Sequence, residues 1–151
     1  MFSIRLARSG DAVLGSSVSL GRITADGLDE AFEAPTSEWD EAAYRASWRS
    51  ELQRILDGAD RAVLLTLVVD PLSANWLRGY VLYRLGNEIR IQERLFFANE
   101  LDHEIDLANP SRSVPTYESV NEDGVRISEW VTSLGELRDF FEIEYGVAEG
   151  E

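Results

Sequence analysis

Residues 76–97 read WLRGYVLYRLGNEIRIQERLFF, and this stretch predicts a β-hairpin. Two runs of apolar, aromatic and β-branched residues, 76–85 and 88–97, flank the dipeptide Gly86-Asn87. A glycine at the first of two central turn residues is what a type II′ turn prefers, and such turns join antiparallel strands. The hairpin therefore predicts two neighbouring antiparallel strands in the centre of the sequence.

The second predicted strand of the hairpin alternates in character. Ile89 and Ile91 face one way, and Arg90 and Gln92 face the other, because successive side chains of a strand point to opposite faces of a sheet. This alternation indicates an antiparallel sheet with two different faces.

Other segments are expected to be extended or irregular. The apolar run at 62–69, which ends at Asp70-Pro71, predicts a central strand covered on both faces. Alternating patterns predict strands within 2–23 and over 125–132, the latter after a turn at 121–124. Acidic composition with few periodic apolar residues predicts irregular chain over 26–38 and an ordered acidic loop over 98–113.

Two helices are predicted, each from a capping motif followed by an apolar face. Ser37 with Asp40 forms the first capping box, and Gly58 supplies the stop. The apolar face between them carries Tyr44, Trp48, Leu52 and Ile55. Ser133 with Glu136 forms the second capping box, before an inner face that carries Leu134, Leu137 and Phe141.

These elements predict an α+β fold: a single domain over residues 1–151, mainly antiparallel sheet, possibly as two packed sheets, with two main helices. The acidic tail, residues 146–151, is expected to fray. A chain of 151 residues, 44% of them hydrophobic, can bury a sizeable core. Five side chains are expected to be mostly buried in this one core: Trp48, Leu52, Ile55, Trp130 and Phe141.

Charge is the strongest compositional feature. The chain has 28 acidic and 14 basic residues, a net charge of −14, and every basic residue is arginine. Such a field repels nucleic acid and anionic lipid and speeds encounter with a basic protein, although it also serves plain solubility. There is no cysteine for a disulfide framework. No stretch approaches the roughly 20 apolar residues of a membrane helix, so a cytoplasmic location is expected.

The sequence offers little for catalysis. His103 is the single histidine, so a histidine-rich metal site is excluded, and without cysteine there is no thiol nucleophile. Nucleotide-binding and serine-hydrolase motifs are absent. Carboxylates are too abundant to single out an acid–base pair. We therefore expect a protein that is not an enzyme and that needs no cofactor or metal.

A nucleic-acid-binding domain is an alternative interpretation of the hairpin. Its arginines and tyrosines could form a modest basic patch with stacking platforms: Arg84, Arg90, Arg94, Tyr80 and Tyr83. The net charge of −14 opposes this use. Cross-strand pairing with carboxylates such as Glu88 and Glu93 is a simpler role for the arginines. An acidic adaptor protein is a further alternative.

Several pieces of sequence, taken in order, resemble one family. They are Trp39, Tyr44 and Ser47-Trp48, then Asp70-Pro71, Asn75, Leu82-Tyr83, Ile91-Gln92 and Leu95-Phe96-Phe97, and last Asp123-Gly124, Ile127-Ser128-Glu129-Trp130 and Asp139-Phe140. This order and spacing, over about residues 23–140, resembles the immunity proteins of bacterial contact-dependent growth inhibition systems. The nearest group is the one whose partner toxin cleaves ribosomal RNA. The most specific element is Ile-Ser-Glu-Trp preceded by Asp-Gly.

The resemblance implies a cytoplasmic antitoxin without a cofactor, which binds the C-terminal nuclease domain of a delivered toxin and blocks the entry of RNA. A ribonuclease domain must be basic to hold RNA, so an acidic inhibitor can compete as a polyanion and gain in association rate. Neither nucleic acid nor membrane is expected as a partner. The oligomeric state stays open, with a monomer favoured.

The toxin-binding surface is expected on irregular, carboxylate-rich segments, because loops on a rigid body commonly carry recognition. The candidates are Glu100, Asp102, Glu104, Asp106, Glu122 and Asp123. Two other acidic segments are the next candidates: residues 26–41, and the C-terminal helix with Glu136, Asp139 and Glu142.

Overall fold

The computed structural model describes residues 1–6, 18–36, 38–68, 76–97, 107 and 109–146. In these residues the order is β1 (Ser3–Leu6), β2 (Val18–Ala25), β3 (Leu28–Pro35), α1 (Glu41–Leu56), β4 (Arg61–Leu67), β5 (Trp76–Leu85), β6 (Glu88–Phe97), a 3-10 turn (Pro110–Ser113), β7 (Trp130–Ser133) and α2 (Leu134–Tyr145). The strands form two antiparallel sheets, β1-β2-β3 and β4-β5-β6-β7. The predicted α+β class, with two sheets and two helices, is confirmed.

The hairpin predicted over residues 76–97 is present in the predicted register. Leu85 pairs with Glu88 across the two-residue turn, and β5 and β6 stay paired along their whole length. Gly86 has a φ of 69°, a left-handed value that glycine adopts without strain. Ile89 and Ile91 are fully buried and extend the core along one face of the sheet.

Strand β4 is an edge strand, not the central strand predicted from its apolar run. Its side chains from Ala62 to Thr66 are nevertheless buried on both faces. The apolar run therefore indicated burial correctly, but the position of a strand in a sheet depends on distant partners. An edge with unpaired backbone groups is a template for pairing with another chain.

Helix α1 covers that open edge. The Trp48 indole N–H donates to the carbonyl oxygen of Leu65 over 2.7 Å, and the Glu51 carboxylate accepts the Val63 N–H over 2.9 Å. The Tyr44 hydroxyl accepts the backbone N–H just past the end of the strand over 3.0 Å. Positions 44, 48 and 51 lie on one helix face. The helix thus supplies partners for two outward backbone groups of β4, at Val63 and Leu65, as well as packing on the core.

The first helix begins later than the sequence predicted. Asp40 is its N-cap, and the Asp40 carboxylate accepts the Ala43 N–H over 2.8 Å. Ser37, the predicted cap, lies outside the described residues. The chain leaves the helix at Gly58, with a φ of 122°. The predicted apolar face is confirmed, since four side chains have no exposed surface: Tyr44, Trp48, Leu52 and Ile55.

The second helix starts and packs as predicted. The Ser133 hydroxyl accepts the Glu136 N–H, and the inner-face residues Leu134, Leu137 and Phe141 are buried. Trp130, which was expected to be mostly buried, is partly buried and packs against the core. It lies on β7, the outer strand of its sheet, which begins at Trp130 and not at residue 125 as predicted.

Strand β3 replaces the irregular chain predicted over residues 26–38. Leu28, Phe32 and Ala34 are buried, and the acidic residues between them are more exposed. This is the alternation of a half-buried strand. The strand pairs along its length with β2 after a turn at residues 26–27. The acidic composition of residues 26–38 led to the wrong prediction, because it drew attention away from the alternating apolar residues.

Candidate functional site

The residues predicted to bind a partner fall into two groups. Glu100, Asp102, Glu104 and Asp106 lie outside the described residues, and so does His103. Glu122 and Asp123 are described, and both are exposed. Neither forms an ion pair within the described part of the chain. The structure therefore places only the second group.

Glu122 and Asp123 sit at the end of a small hairpin, residues 119–127, which we name the tip hairpin. The Asn121 side-chain oxygen accepts the N–H groups of Asp123 and Val125 over 2.9 Å and 3.0 Å. The Gly124 N–H donates to the Asn121 carbonyl over 2.9 Å. Gly124 has a φ of 79°, the left-handed conformation that closes a three-residue hairpin loop. Both carboxylates are thus carried on an ordered turn.

The tip hairpin belongs to a longer segment, residues 114–129, which we name the strap. At its beginning, Arg61 donates to the Val114 carbonyl over 2.8 Å, and the Tyr83 hydroxyl donates to the carbonyl of the next residue over 3.0 Å. The rings of Tyr83 and Tyr117 meet edge to face, with centroids 5.3 Å apart. The strap therefore lies against one face of the β5–β6 hairpin.

Glu129 fastens the other end of the strap. Its carboxylate accepts hydrogen bonds from Arg90 over 2.5 Å, from Gln92 over 3.1 Å and from Tyr117 over 3.0 Å. Gln92 also donates to the Glu118 carbonyl over 2.9 Å. This cover explains why Gln92 has no exposed surface, although it lies on the face of the sheet opposite the isoleucines.

The pKa of Glu129 lies below its ordinary value. Burial opposes ionisation, but the hydrogen bonds from Gln92, Arg90 and Tyr117 outweigh it. A carboxyl group whose pKa is lower in the folded state stabilises the fold above its unfolded pKa, and it loses that contribution as the pH falls through the folded value. The hydrogen bonds by which Glu129 holds the strap against the sheet should therefore weaken at acidic pH.

Glu129→Gln is expected to lower the free energy of unfolding by about 1–2 kcal/mol near neutral pH, because it removes charge-assisted hydrogen bonds. The difference between the variant and the wild type should shrink as the pH falls, since the wild-type carboxyl then takes up a proton. Urea unfolding near neutral pH and at about pH 3 measures both values. A difference that stays constant over this range would contradict the role assigned to the ionised carboxylate.

The hairpin arginines do not form the three-arginine patch considered from the sequence, because Arg84 lies apart from the other two and Arg94 donates to the side-chain oxygen of Gln92 over 3.1 Å. Arg90 opposes Tyr83 and Arg84 opposes Ile89, so the two arginines lie on opposite faces. Arg84 donates to a carbonyl of α1, and Arg90 is paired with two carboxylates. Tyr80 and Tyr83 are buried. Stacking and phosphate contacts would need these groups to be free.

A shallow groove of about 370 Å³ lies between the β2–β3 turn and β7. Asp26 bridges to Val131 and so joins the β2–β3 turn to β7. Three carboxylates line the groove: Asp26, Glu88 and Glu136. Each has a cationic partner, which is Arg90 for Glu88 and the amino group of Met1 for the other two. Glu122 and Asp123 of the tip hairpin, by contrast, form no ion pair among the described residues.

Two features are absent from the part of the chain that the structure describes. No group of three or more histidine, aspartate and glutamate side chains there is arranged to hold a metal ion. No helix there is long and apolar enough to cross a membrane.

Comparison with known proteins identifies relatives along most of the chain. The family described as the CdiI N-terminal domain matches residues 34–140. The immunity protein CdiI of Enterobacter cloacae subsp. cloacae is 26% identical over 141 residues, which cover 93% of this chain and 97% of that protein. A chain of the CdiA-CT/CdiI toxin and immunity complex from Enterobacter cloacae superposes with a TM-score of 0.83 at 26% identity. That superposition covers 95% of this chain and 97% of the other.

Proposed function

Because the chain belongs to the CdiI N-terminal domain family and is an immunity protein of a contact-dependent growth inhibition system, we propose that it binds and inhibits the C-terminal nuclease domain of one cognate toxin. The observation that carries the proposal is the likeness, over 95% of the chain, to a chain of a toxin–immunity complex. In this proposal the chain is one domain over residues 1–151, acts in the cytoplasm and needs no cofactor. Cleavage of ribosomal RNA is the toxin activity proposed.

The distribution of charge supports a basic protein partner. The net charge is −14, and the arginines of the β5–β6 hairpin described above are held by carboxylates and carbonyls of the protein itself. A domain that holds RNA must present positive charge to phosphates. Complementary potentials speed the encounter of two proteins, and an inhibitor must bind before the toxin reaches its substrate.

The toxin-facing residues are proposed to be the carboxylates of two segments. One is the turn with Glu122 and Asp123, which are exposed and have no ion-pair partner in the described chain. The other segment carries Glu100, Asp102, Glu104 and Asp106, which the sequence places between β6 and the strap. The second segment follows β6 in the sequence, and the turn precedes β7, the neighbouring strand of the same sheet.

Co-expression tests the proposal directly. The toxin domain encoded next to this chain is induced in cells with and without the chain, and growth and ribosomal RNA are followed. We expect arrested growth and cleaved RNA in the unprotected cells, and normal growth in the protected cells. Arrest in both cultures would reject the inhibition, whereas arrest with intact RNA would reject the nuclease alone. A non-cognate toxin domain is the control for specificity.

Reversing the two tip charges is expected to slow association. Glu122→Arg with Asp123→Arg should lower the association rate constant and its salt dependence, while thermal stability changes by no more than about 0.5 kcal/mol. The matched control is Asp139→Arg with Glu142→Arg on α2, where both residues are also exposed. Association rates at two salt concentrations decide the outcome. If the α2 variant is the slower one, the binding surface lies on α2.

A further inference from the structure

The tip hairpin stands clear of the body of the protein. Residues 118–126 are all exposed, which is the longest uninterrupted exposed run in the described chain. Val120 on one leg is 46% exposed, and Val125 on the other is 59% exposed. Val120 lies opposite Arg126, and successive residues of a strand face opposite sides. Val125, the neighbour of Arg126, therefore faces the side away from Val120. The exposure of both valines therefore means that neither side of the hairpin is covered.

The combination of residues at the tip suits a contact with another protein. Exposed valines contribute nothing to the core, but they supply apolar area that a partner can bury. Beside them lie Glu122 and Asp123, whose charges no described side chain neutralises. An apolar centre with a polar rim is the usual arrangement of a protein–protein interface.

The hairpin is also fixed at its base. Glu129 joins the strap to β6 through Arg90 and Gln92, and Gln92 holds the carbonyl at position 118, where the exposed run begins. A recognition element that is already ordered pays less conformational entropy on binding than a loose loop does. The network thus orders a segment that contributes little to the core.

We propose that the tip hairpin inserts into a basic recess of the toxin domain, where Val120 and Val125 are buried against apolar walls and the two carboxylates face arginine or lysine side chains. This inference rests on the proposed function, and it names the element that makes the contact. The convex, doubly exposed shape fits a concave partner surface, and the unpaired charge fits a positive one. The valines lower the dissociation rate, and the carboxylates raise the association rate.

The test uses a double variant that changes apolar area without changing charge, Val120→Ser with Val125→Ser. The probe is the toxin domain encoded beside this chain, produced together with it, separated in denaturant and refolded. We expect the dissociation constant to rise at least about tenfold, mainly through faster dissociation, with an unchanged urea midpoint. The control is Ile143→Ser, since Ile143 is 68% exposed on α2. Its affinity should stay within about twofold of the wild type.

Three results would overturn the inference. A double variant that binds within about twofold of the wild type would show that the valines are not contacts. Equal losses in the double variant and in Ile143→Ser would show that the effect is not specific to the tip hairpin. A wild-type chain that does not bind the refolded domain would reject the proposed function, and the inference with it.

Discussion

Replacing Trp48 by alanine is expected to lower the free energy of unfolding by about 3–5 kcal/mol. The side chain is fully buried, its ring lies edge to face with Phe32 at a centroid distance of 6.0 Å, and its indole N–H donates to the Leu65 carbonyl. It therefore contacts both sheets from α1. Alanine leaves a cavity between them and a buried carbonyl without its donor. Urea unfolding followed by circular dichroism measures the loss.

Trp48→Phe separates packing from hydrogen bonding. Phenylalanine keeps an aromatic ring beside Phe32 but has no N–H for Leu65, so the expected loss is about 1–3 kcal/mol. Trp130→Ala is the control for position, because Trp130 is only partly buried on the outer strand. Trp130→Ala should lower the free energy of unfolding by less than Trp48→Ala does. A loss below about 1 kcal/mol for Trp48→Ala would refute the central place given to this side chain.

The elements predicted correctly are those whose signal is local. The α1 face at positions 44, 48, 52 and 55 and the turn at Gly86-Asn87 each depend on contacts within one element. Such signals survive in the sequence because helix and strand periods repeat over a few residues. The Ser133 cap was found for the same reason, since its acceptor and donor are three residues apart.

The features that were missed depend on residues far apart in the chain. Buried and exposed residues alternate along strand β3, which pairs with β2. The acidic composition of this segment nevertheless led to a prediction of irregular chain. The edge position of β4 could not be inferred from its composition, because α1 covers the side that lacks a neighbouring strand.

The candidate site also combines a local feature, which was predicted, with long-range contacts, which were not. Asn121 and Gly124 are a recognisable turn signal, and they placed Glu122 and Asp123 on an exposed tip. The network behind the tip was not predicted, because Glu129 reaches partners 37 and 39 positions away along the chain. One signal was available. Glu129 lies within Ile-Ser-Glu-Trp, the most specific element of the family resemblance, and its ties between strap and sheet give that element a structural role.

Glu51 is the second side chain whose loss should have a large effect. It is 1% exposed, accepts the Val63 N–H over 2.9 Å and pairs with Arg54 over 3.1 Å. Glu51→Ala leaves that N–H of the edge strand buried without an acceptor, at a cost of about 2–3 kcal/mol. It also uncovers part of the β4 edge, so we expect more aggregation on partial unfolding. Urea unfolding and light scattering measure the two effects.

Glu51→Gln distinguishes the hydrogen bond from the charge. The amide oxygen can still accept the Val63 N–H, so this variant should lose less stability than Glu51→Ala. Burial raises the pKa of Glu51 above its ordinary value, although the bonds from Val63 and Arg54 oppose the rise. A carboxyl group with a raised folded pKa stabilises the fold most below its unfolded pKa, and it loses that contribution as the pH rises through the folded value. The stability of Glu51→Gln relative to the wild type should therefore improve as the pH rises across this window. A relative stability that falls instead would show that the ion pair with Arg54 outweighs the cost of burying the charge.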